Sequence, residues 1–126
     1  MGKRLLLIED NPELLELVSM IIAAREGYEV LQTKDGREGL DLMEKNEFDV
    51  LITDLVLSSM PGVEIIRRTR ALRPSTRIIA ISGKGQAYLD EATRAGADVA
   101  MAKPFTIAQM VQALEPSDSS PSRPTV

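Results

Sequence analysis

Strand-length runs, nearly all apolar, recur along this chain, and a stretch with helical spacing follows each one. That alternation predicts βα repeats and a parallel sheet, because a parallel strand needs a long crossover and a helix is its usual form. Lys3 to Ile8 carries Leu5, Leu6, Leu7 and Ile8 in succession, as a central strand covered on both faces requires. Tyr28 to Thr33 is more polar and suits the sheet edge. Phe48 to Thr53, Thr76 to Ile81 and Asp98 to Ala102 supply the remaining strands.

The intervening segments read as helices. Asn11-Pro12-Glu13 offers a cap, a proline at the first helical position and an acid in the first turn. Leu14, Val18, Ile21 and Ile22 follow at helical spacing, and Gly27 is the expected stop. Asp35 and Glu38 have the spacing of a capping box, with Gly36, Gly39, Leu40 and Met43 on the inner face. Gly62, Ile65, Ile66, Thr69 and Leu72 form the stripe of a third helix. Arg67, Arg68, Arg70 and Arg73 fall off that stripe and are expected on a solvated outer face, or failing that a partner surface. The helix from Gln86 to Ala95 has only Leu89, Ala92 and Thr93 to pack with, and Phe105, Ala108, Val111 and Leu114 mark a last one. Right-handed crossovers around a central first strand give a doubly wound, flavodoxin-like (βα)5 α/β fold with strand order 2-1-3-4-5.

At 126 residues the chain is read as one domain over 1–115. The Pro- and Ser-rich stretch 116–126 is expected to be a disordered tail or a linker stub. The net charge of -4 gives no reason to bind nucleic acid or an anionic membrane directly, and 3% aromatic content leaves no platform for stacking bases. Cysteine is absent, so disulfides and thiolate metal sites are excluded. Histidine is absent too, which removes serine-histidine triads and any phosphohistidine donor within the chain. With no signal peptide or membrane span visible, a cytoplasmic location is expected.

What remains is a cluster. The apolar runs end in Glu9-Asp10, Asp54, Ser82 and Lys103-Pro104, and parallel strands bring those ends to one edge. In the 2-1-3-4-5 order, strands one and three flank the switch point where open α/β sheets bind ligands. Glu9, Asp10 and Asp54 fall there, with Ser82 and Lys103 on the next strands out. Carboxylates so close repel, by about 4 kcal/mol per pair 4 Å apart at an effective dielectric of 20. Lys103 and a divalent cation would compensate. Because every ligand on offer is oxygen, Mg²⁺ is the expected ion, with Mn²⁺ tolerated. Asp10 and Asp54 are expected as direct ligands, Glu9 through water, and the main-chain carbonyl of Val56 as a further ligand. The Asp54 carboxylate is placed to attack phosphorus and form an acyl phosphate, with Ser82 and Lys103 on the phosphoryl oxygens.

At these residues the chain resembles a response-regulator receiver domain of two-component signalling, over about Lys3 to Leu114. Glu9-Asp10-Asn11 resembles the family's acidic pair, Asp54-Leu55 with Gly62 its phosphoacceptor spacing, Ser82-Gly83 its hydroxyl residue, and Lys103-Pro104-Phe105 its last signature. The resemblance implies that Asp54 receives a phosphoryl group from a sensor histidine kinase or a histidine phosphotransfer protein. It also implies an output partner or domain and a cis Lys103-Pro104 bond; a homodimer through the last two helices is a separate possibility.

Ser58 stands where the family usually has proline, and Ala100 where it often has a switch aromatic. Movement of the Gly83–Gly85 loop and the helix after it would then have to replace the aromatic rotor. Val56 lies near the expected water path and cannot orient an attacking water, so a long-lived phosphoryl group is expected. Two other readings use the same residues. A phosphatase of the haloacid dehalogenase type also has an aspartate nucleophile, Mg²⁺, a hydroxyl and a lysine, but carries a second Asp two residues on, where Val56 stands. A phosphorylation-independent pseudo-receiver would keep the sheet without needing the acids.

Overall fold

Apolar segments covered on both faces become inner strands here, and the computed structural model, which describes residues 2–115, shows how they are covered. In chain order the elements are β1 (Lys3–Ile8), α1 (Pro12–Ala23), β2 (Tyr28–Thr33), α2 (Gly36–Lys45), β3 (Val50–Asp54), α3 (Gly62–Leu72), β4 (Arg77–Ser82), α4 (Gln86–Ala95), β5 (Val99–Ala102) and α5 (Ile107–Leu114). All strand pairs are parallel, in one sheet ordered β2-β1-β3-β4-β5. The α/β fold and the strand order are those expected, with the polar β2 at one edge. The proposed tail, 116–126, lies outside the described residues.

Alternate residues of the inner strands feed two cores. Leu6, Ile8, Leu51, Ile78 and Ala80 pack with Met43, Ile65, Ile66, Leu89 and Ala92 from α2, α3 and α4. Leu5, Leu7, Ile52, Ile79 and Ile81 pack with Val18, Ile21, Ile22, Met110 and Leu114 from α1 and α5. Full burial of each Leu, Ile, Val or Met among them contributes about 1.5–3 kcal/mol relative to exposure. The inner strands therefore form the stable frame on which a costly polar edge can be built.

Several local expectations need correcting. Helix α1 stops at Ala23, capped by Ala24; Gly27, at φ 92°, instead serves the turn into β2, where its carbonyl accepts from Lys3 N. The α2 capping box is only half formed. Asp35 accepts from Arg37 N, but Glu38 pairs with the Thr33 hydroxyl instead of reaching back to the cap. Arg70 is not on a solvated face: its guanidinium donates to the carbonyls of Gly96, Pro74 and Thr76 and pairs with Asp98 at 2.8 Å. Arg73 likewise reaches the Glu44 carbonyl, whereas Arg67 and Arg68 are exposed and pair with Glu64.

Leu89 and Ala92 give α4 the thin inner face expected, without the exposed Thr93. In α5, Thr106 forms a capping box with Gln109, so the helix begins at Ile107 and Phe105 precedes it. The buried side is then Met110, Ala113 and Leu114, and Ala108 is exposed. Strands β3 and β4 each run one residue further than their apolar patterns, making Asp54 and Ser82 the last residues of strands rather than the first of loops.

One close approach fixes the chain after β3. A Cβ on Gly62 would stand 2.1 Å from the Asp54 carbonyl oxygen and 2.6 Å from Leu55 Cα, both backbone atoms that cannot swing aside. Gly62→Ala is therefore expected to destabilise the domain by about 3 kcal/mol or more, the upper part of the overpacking range, in urea denaturation. A loss under about 1 kcal/mol would contradict the close approach.

Candidate functional site

Strand register assembles the site. Ile8 lies opposite Thr53 in the β1–β3 pair, so Glu9 and Asp54 are the next residues on neighbouring strands. Asp54 lies opposite Ile81 and Ser82 opposite Ala102, which brings Ser82 and Lys103 to the same edge. Carboxylate oxygens of Glu9, Asp10 and Asp54 lie within 4.8 Å of one another. Glu9 and Asp54 are buried and Asp10 is half-buried.

Each side chain is held by a local device. Glu9 Oε2 accepts from Asn11 N at 3.0 Å, while the Asn11 side chain caps α1 through Glu13 N and Leu14 N. Asp54 Oδ1 accepts from Val56 N at 3.0 Å, and Asp54 Oδ2 accepts from Lys103 Nζ at 2.5 Å. Lys103 follows β5, its N–H donating to the Ser82 carbonyl at 2.9 Å, and the Lys103-Pro104 bond is cis. Glu9, Asp10, Asn11, Asp54, Val56, Gly83, Lys84 and Lys103 line a cleft of about 280 Å³.

Ser82 is buried, with Oγ accepting from Lys84 N at 3.1 Å. A hydroxyl used as an acceptor still has its hydrogen to donate. The expected residues thus come to one edge of the sheet, Ser82 buried beside the lining residue Gly83. The part of Asn11 that sequence reading missed is its main-chain N–H, which orients Glu9. The signal was the adjacency of an acid to a capping asparagine, which the capping assignment alone did not exploit.

The cluster fits a hard divalent cation. Glu9 Oε1 is buried with no hydrogen-bond partner, and Lys103 Nζ, 3.4 Å away, supplies charge only. Three acids share the cleft with Lys84 and Lys103, and every ligand atom the acids offer is an oxygen, the set that suits Mg²⁺.

Burial raises the Glu9 carboxyl to about 7, and the nearby Asp54 charge adds to the rise; the Asn11 N–H and Lys103 act in the opposite direction but do not win. For Lys103, burial works to lower the pKa, yet the hydrogen bond and charge of Asp54, with the charge of Glu9, raise it above the ordinary lysine value. Lys103 is a cation at neutral pH.

These shifts have a sign. Below about pH 4.5, Glu9 is protonated both folded and unfolded, and its burial carries no charge cost. Between that pH and about 7 the unfolded chain gives up the proton first, so stability falls as pH rises; above about 7 the full cost is present. In EDTA, Glu9→Gln should flatten this decline, gaining up to about 3 kcal/mol over wild type at pH 8 by denaturant titration. Parallel pH profiles for the two proteins would refute the assignment.

Known proteins place this geometry in context. The family described as the response regulator receiver domain matches residues 5–115. Chemotaxis protein CheY of Thermotoga maritima is 33% identical over 116 residues, covering 90% of this chain and 96% of that protein. Cell cycle transcriptional regulator CtrA of Caulobacter vibrioides is 34% identical over 109 residues, covering 86% of this chain, but this chain spans only 47% of CtrA. The crystal structure of a response regulator protein from Burkholderia pseudomallei, with a phosphorylated aspartic acid, calcium ion and citrate, superposes with a TM-score of 0.81. It is 29% identical and covers 91% of this chain and 68% of that one. A family match that runs from within β1 to just past α5 takes in every helix and the whole acid-lined edge, so the chain belongs to the response regulator receiver domain family.

Proposed function

We propose that Asp54 is the phosphoacceptor of this receiver domain and takes its phosphoryl group from a phosphohistidine on a sensor kinase or a histidine phosphotransfer protein. The observation that carries this reading is the position of Asp54: at the strand-order switch point, beside two other acids, with one oxygen 2.5 Å from Lys103 Nζ. Transfer forms a bond from an Asp54 carboxylate oxygen to phosphorus. The phosphorus–nitrogen bond of the donor breaks, and its electron pair leaves with the imidazole. The donor must be external, because this chain has no histidine.

Glu9, Asp10, Asp54 and the Val56 carbonyl would hold Mg²⁺ or Mn²⁺, which when bound neutralises charge on the phosphoryl oxygens. Lys103 supplies the second positive group and holds Asp54 in place before transfer. Ser82 donates its hydroxyl hydrogen to a phosphoryl oxygen, with the Lys84 N–H keeping the hydroxyl oriented. Catalysis is then positioning and electrostatics supplied by the domain to its own phosphorylation. This reading takes the cytoplasm as the place of action, with an output partner or domain that senses the phosphorylated state. Among the described residues, no helix is long and apolar enough to cross a membrane.

Incubation with acetyl phosphate and Mg²⁺ should add one phosphoryl mass to the wild type and none to Asp54→Asn, read by intact mass spectrometry. Equal labelling of both proteins would remove Asp54 from the role. Steady release of phosphate from simple esters would instead favour a phosphatase.

The lifetime of the product follows from Val56, which lines the cleft with an apolar side chain 41% exposed. It has no group with which to orient a water. Val56→Asn adds one, and a hydrogen bond worth about 1.4 kcal/mol in the transition state should shorten the phosphoryl half-life about tenfold. An unchanged half-life would show that Val56 does not limit hydrolysis.

A further inference from the structure

The loop between β3 and α3 carries Val56, and its proline, Pro61, stands only at the far end, where α3 begins. Its two ends are well bonded. Leu55 N donates to the Ile81 carbonyl at 3.0 Å, Val56 N to Asp54 Oδ1 at 3.0 Å, and Gly62 N to the Leu55 carbonyl at 3.0 Å. The middle of the loop is fastened differently. Ser59 Oγ accepts from Gly36 N, the first N–H of α2, at 2.8 Å. The contact joins positions 23 residues apart in sequence. Around it, a Cβ on Gly36 would meet Met60 Cγ and Ile65 Cδ1 at 3.0 Å and Leu57 Cδ1 at 3.2 Å, so the helix start and the loop are in close packing.

We propose that Ser59 is a positioning residue for the cation site: by latching the β3–α3 loop to the N-terminus of α2, it holds Val56 in the cleft wall with its carbonyl available as a ligand. This deepens the reading given under Proposed function and rests on it. The hydroxyl accepts from Gly36 N–H beside the Asp35 carboxylate, whose pKa lies below its ordinary value first because of Ser59 and then because of the Arg37 N–H. The helix that supplies Gly36 is itself fixed, since Asp35 N donates to Thr33 Oγ1 at 3.1 Å and Glu38 pairs with the same hydroxyl. Side chain, helix cap and strand end thus form one linked set, and the loop hangs from it three residues beyond Val56. A loop fastened at Ser59 has far fewer arrangements in which Val56 leaves the cleft than one fastened only at its ends.

The test uses the whole chain with Ser59→Ala, which removes the hydroxyl, and Ser59→Thr, which keeps it. In EDTA, NMR should show the Gly36 amide losing protection from exchange in Ser59→Ala, together with shifts at Val56 and Leu57, while Ser59→Thr stays close to wild type. Titration with Mg²⁺ alone, by calorimetry, should give Ser59→Ala a Kd about tenfold weaker than wild type, the lower end of what outer-shell partners of metal ligands supply. Ser59→Thr should restore it. A purely structural serine would not separate Mg²⁺ affinity from its conservative replacement in this way. Wild-type affinity in Ser59→Ala, or a Ser59→Thr variant as weak as Ser59→Ala, would overturn the latch. Unchanged Gly36 exchange in EDTA would overturn it whatever the cation does. If wild type itself takes up no Mg²⁺, the cation site fails, and the positioning role fails with it.

Discussion

Negative charge concentrated at one edge of the sheet is the constraint around which this domain is arranged. Glu9, Asp10 and Asp54 bring carboxylate oxygens within 4.8 Å of one another, and Lys103 is the cation held among them. Such a group is unfavourable in isolation, and the frame behind it must offset the cost. It does so through two separate apolar cores, one on each face of a sheet whose inner strands are almost wholly buried. The acids are not equivalent. Glu9, fully buried with one oxygen lacking a hydrogen-bond partner, bears most of the desolvation, which is why its carboxyl rises to about 7. Asp54, though buried, has each oxygen matched to a donor, Val56 N–H and Lys103 Nζ. The unpartnered Glu9 oxygen suits a cation, and the two donors hold the Asp54 carboxylate in one orientation.

The register of the sheet turns residues far apart in sequence into that edge. A shift of one residue between β1 and β3 would turn every Leu and Ile of one strand to the opposite face, so the cores that select the register also select the meeting of Glu9 with Asp54. Site and stability are coupled through this pairing. The same holds at Gly62, where α3 starts so close to the Asp54 carbonyl that only a hydrogen fits.

Much of this was legible in the chain. The unbroken run Leu5 to Ile8 can only be covered on both sides, and the acids, hydroxyl and lysine follow the strands in an order that one topology brings together. What escaped the sequence was decided by polar partners distant in the chain. Arg70 has the spacing of a surface residue, but the carbonyls before β4 and β5 give its guanidinium more hydrogen bonds than water-facing geometry would retain. Glu38 has the spacing of a capping box, but the Thr33 hydroxyl competes for it. Phe105 has the spacing of a helix stripe, but Thr106 caps the helix after it and turns the buried side to Met110 and Ala113. In each case periodicity gave the element, while a single side-chain oxygen or carbonyl fixed its ends.

The two ends of the sheet are tied down by different residues, and one helix is held less closely than the rest. At the end away from the acids, Arg70 ties α3 to the segments leading into β4 and β5. There, Asp98 Oδ2 also accepts from Ile78 N, and Arg77 Nε donates to the Ala113 carbonyl at the end of α5. That end is braced by side chains bonded to backbone. At the acid end, Gly85 starts α4 without a side-chain cap, and α4 buries only Leu89 and Ala92. Ala100, on the edge strand β5, has no ring to turn inward, so an aromatic rotor cannot carry the change through that position. On the proposed reading, a change at Asp54 would reach the Gly83–Gly85 loop with α4 on one side and the β3–α3 loop carrying Ser59 on the other. The strands between them remain fixed by the register that made the site.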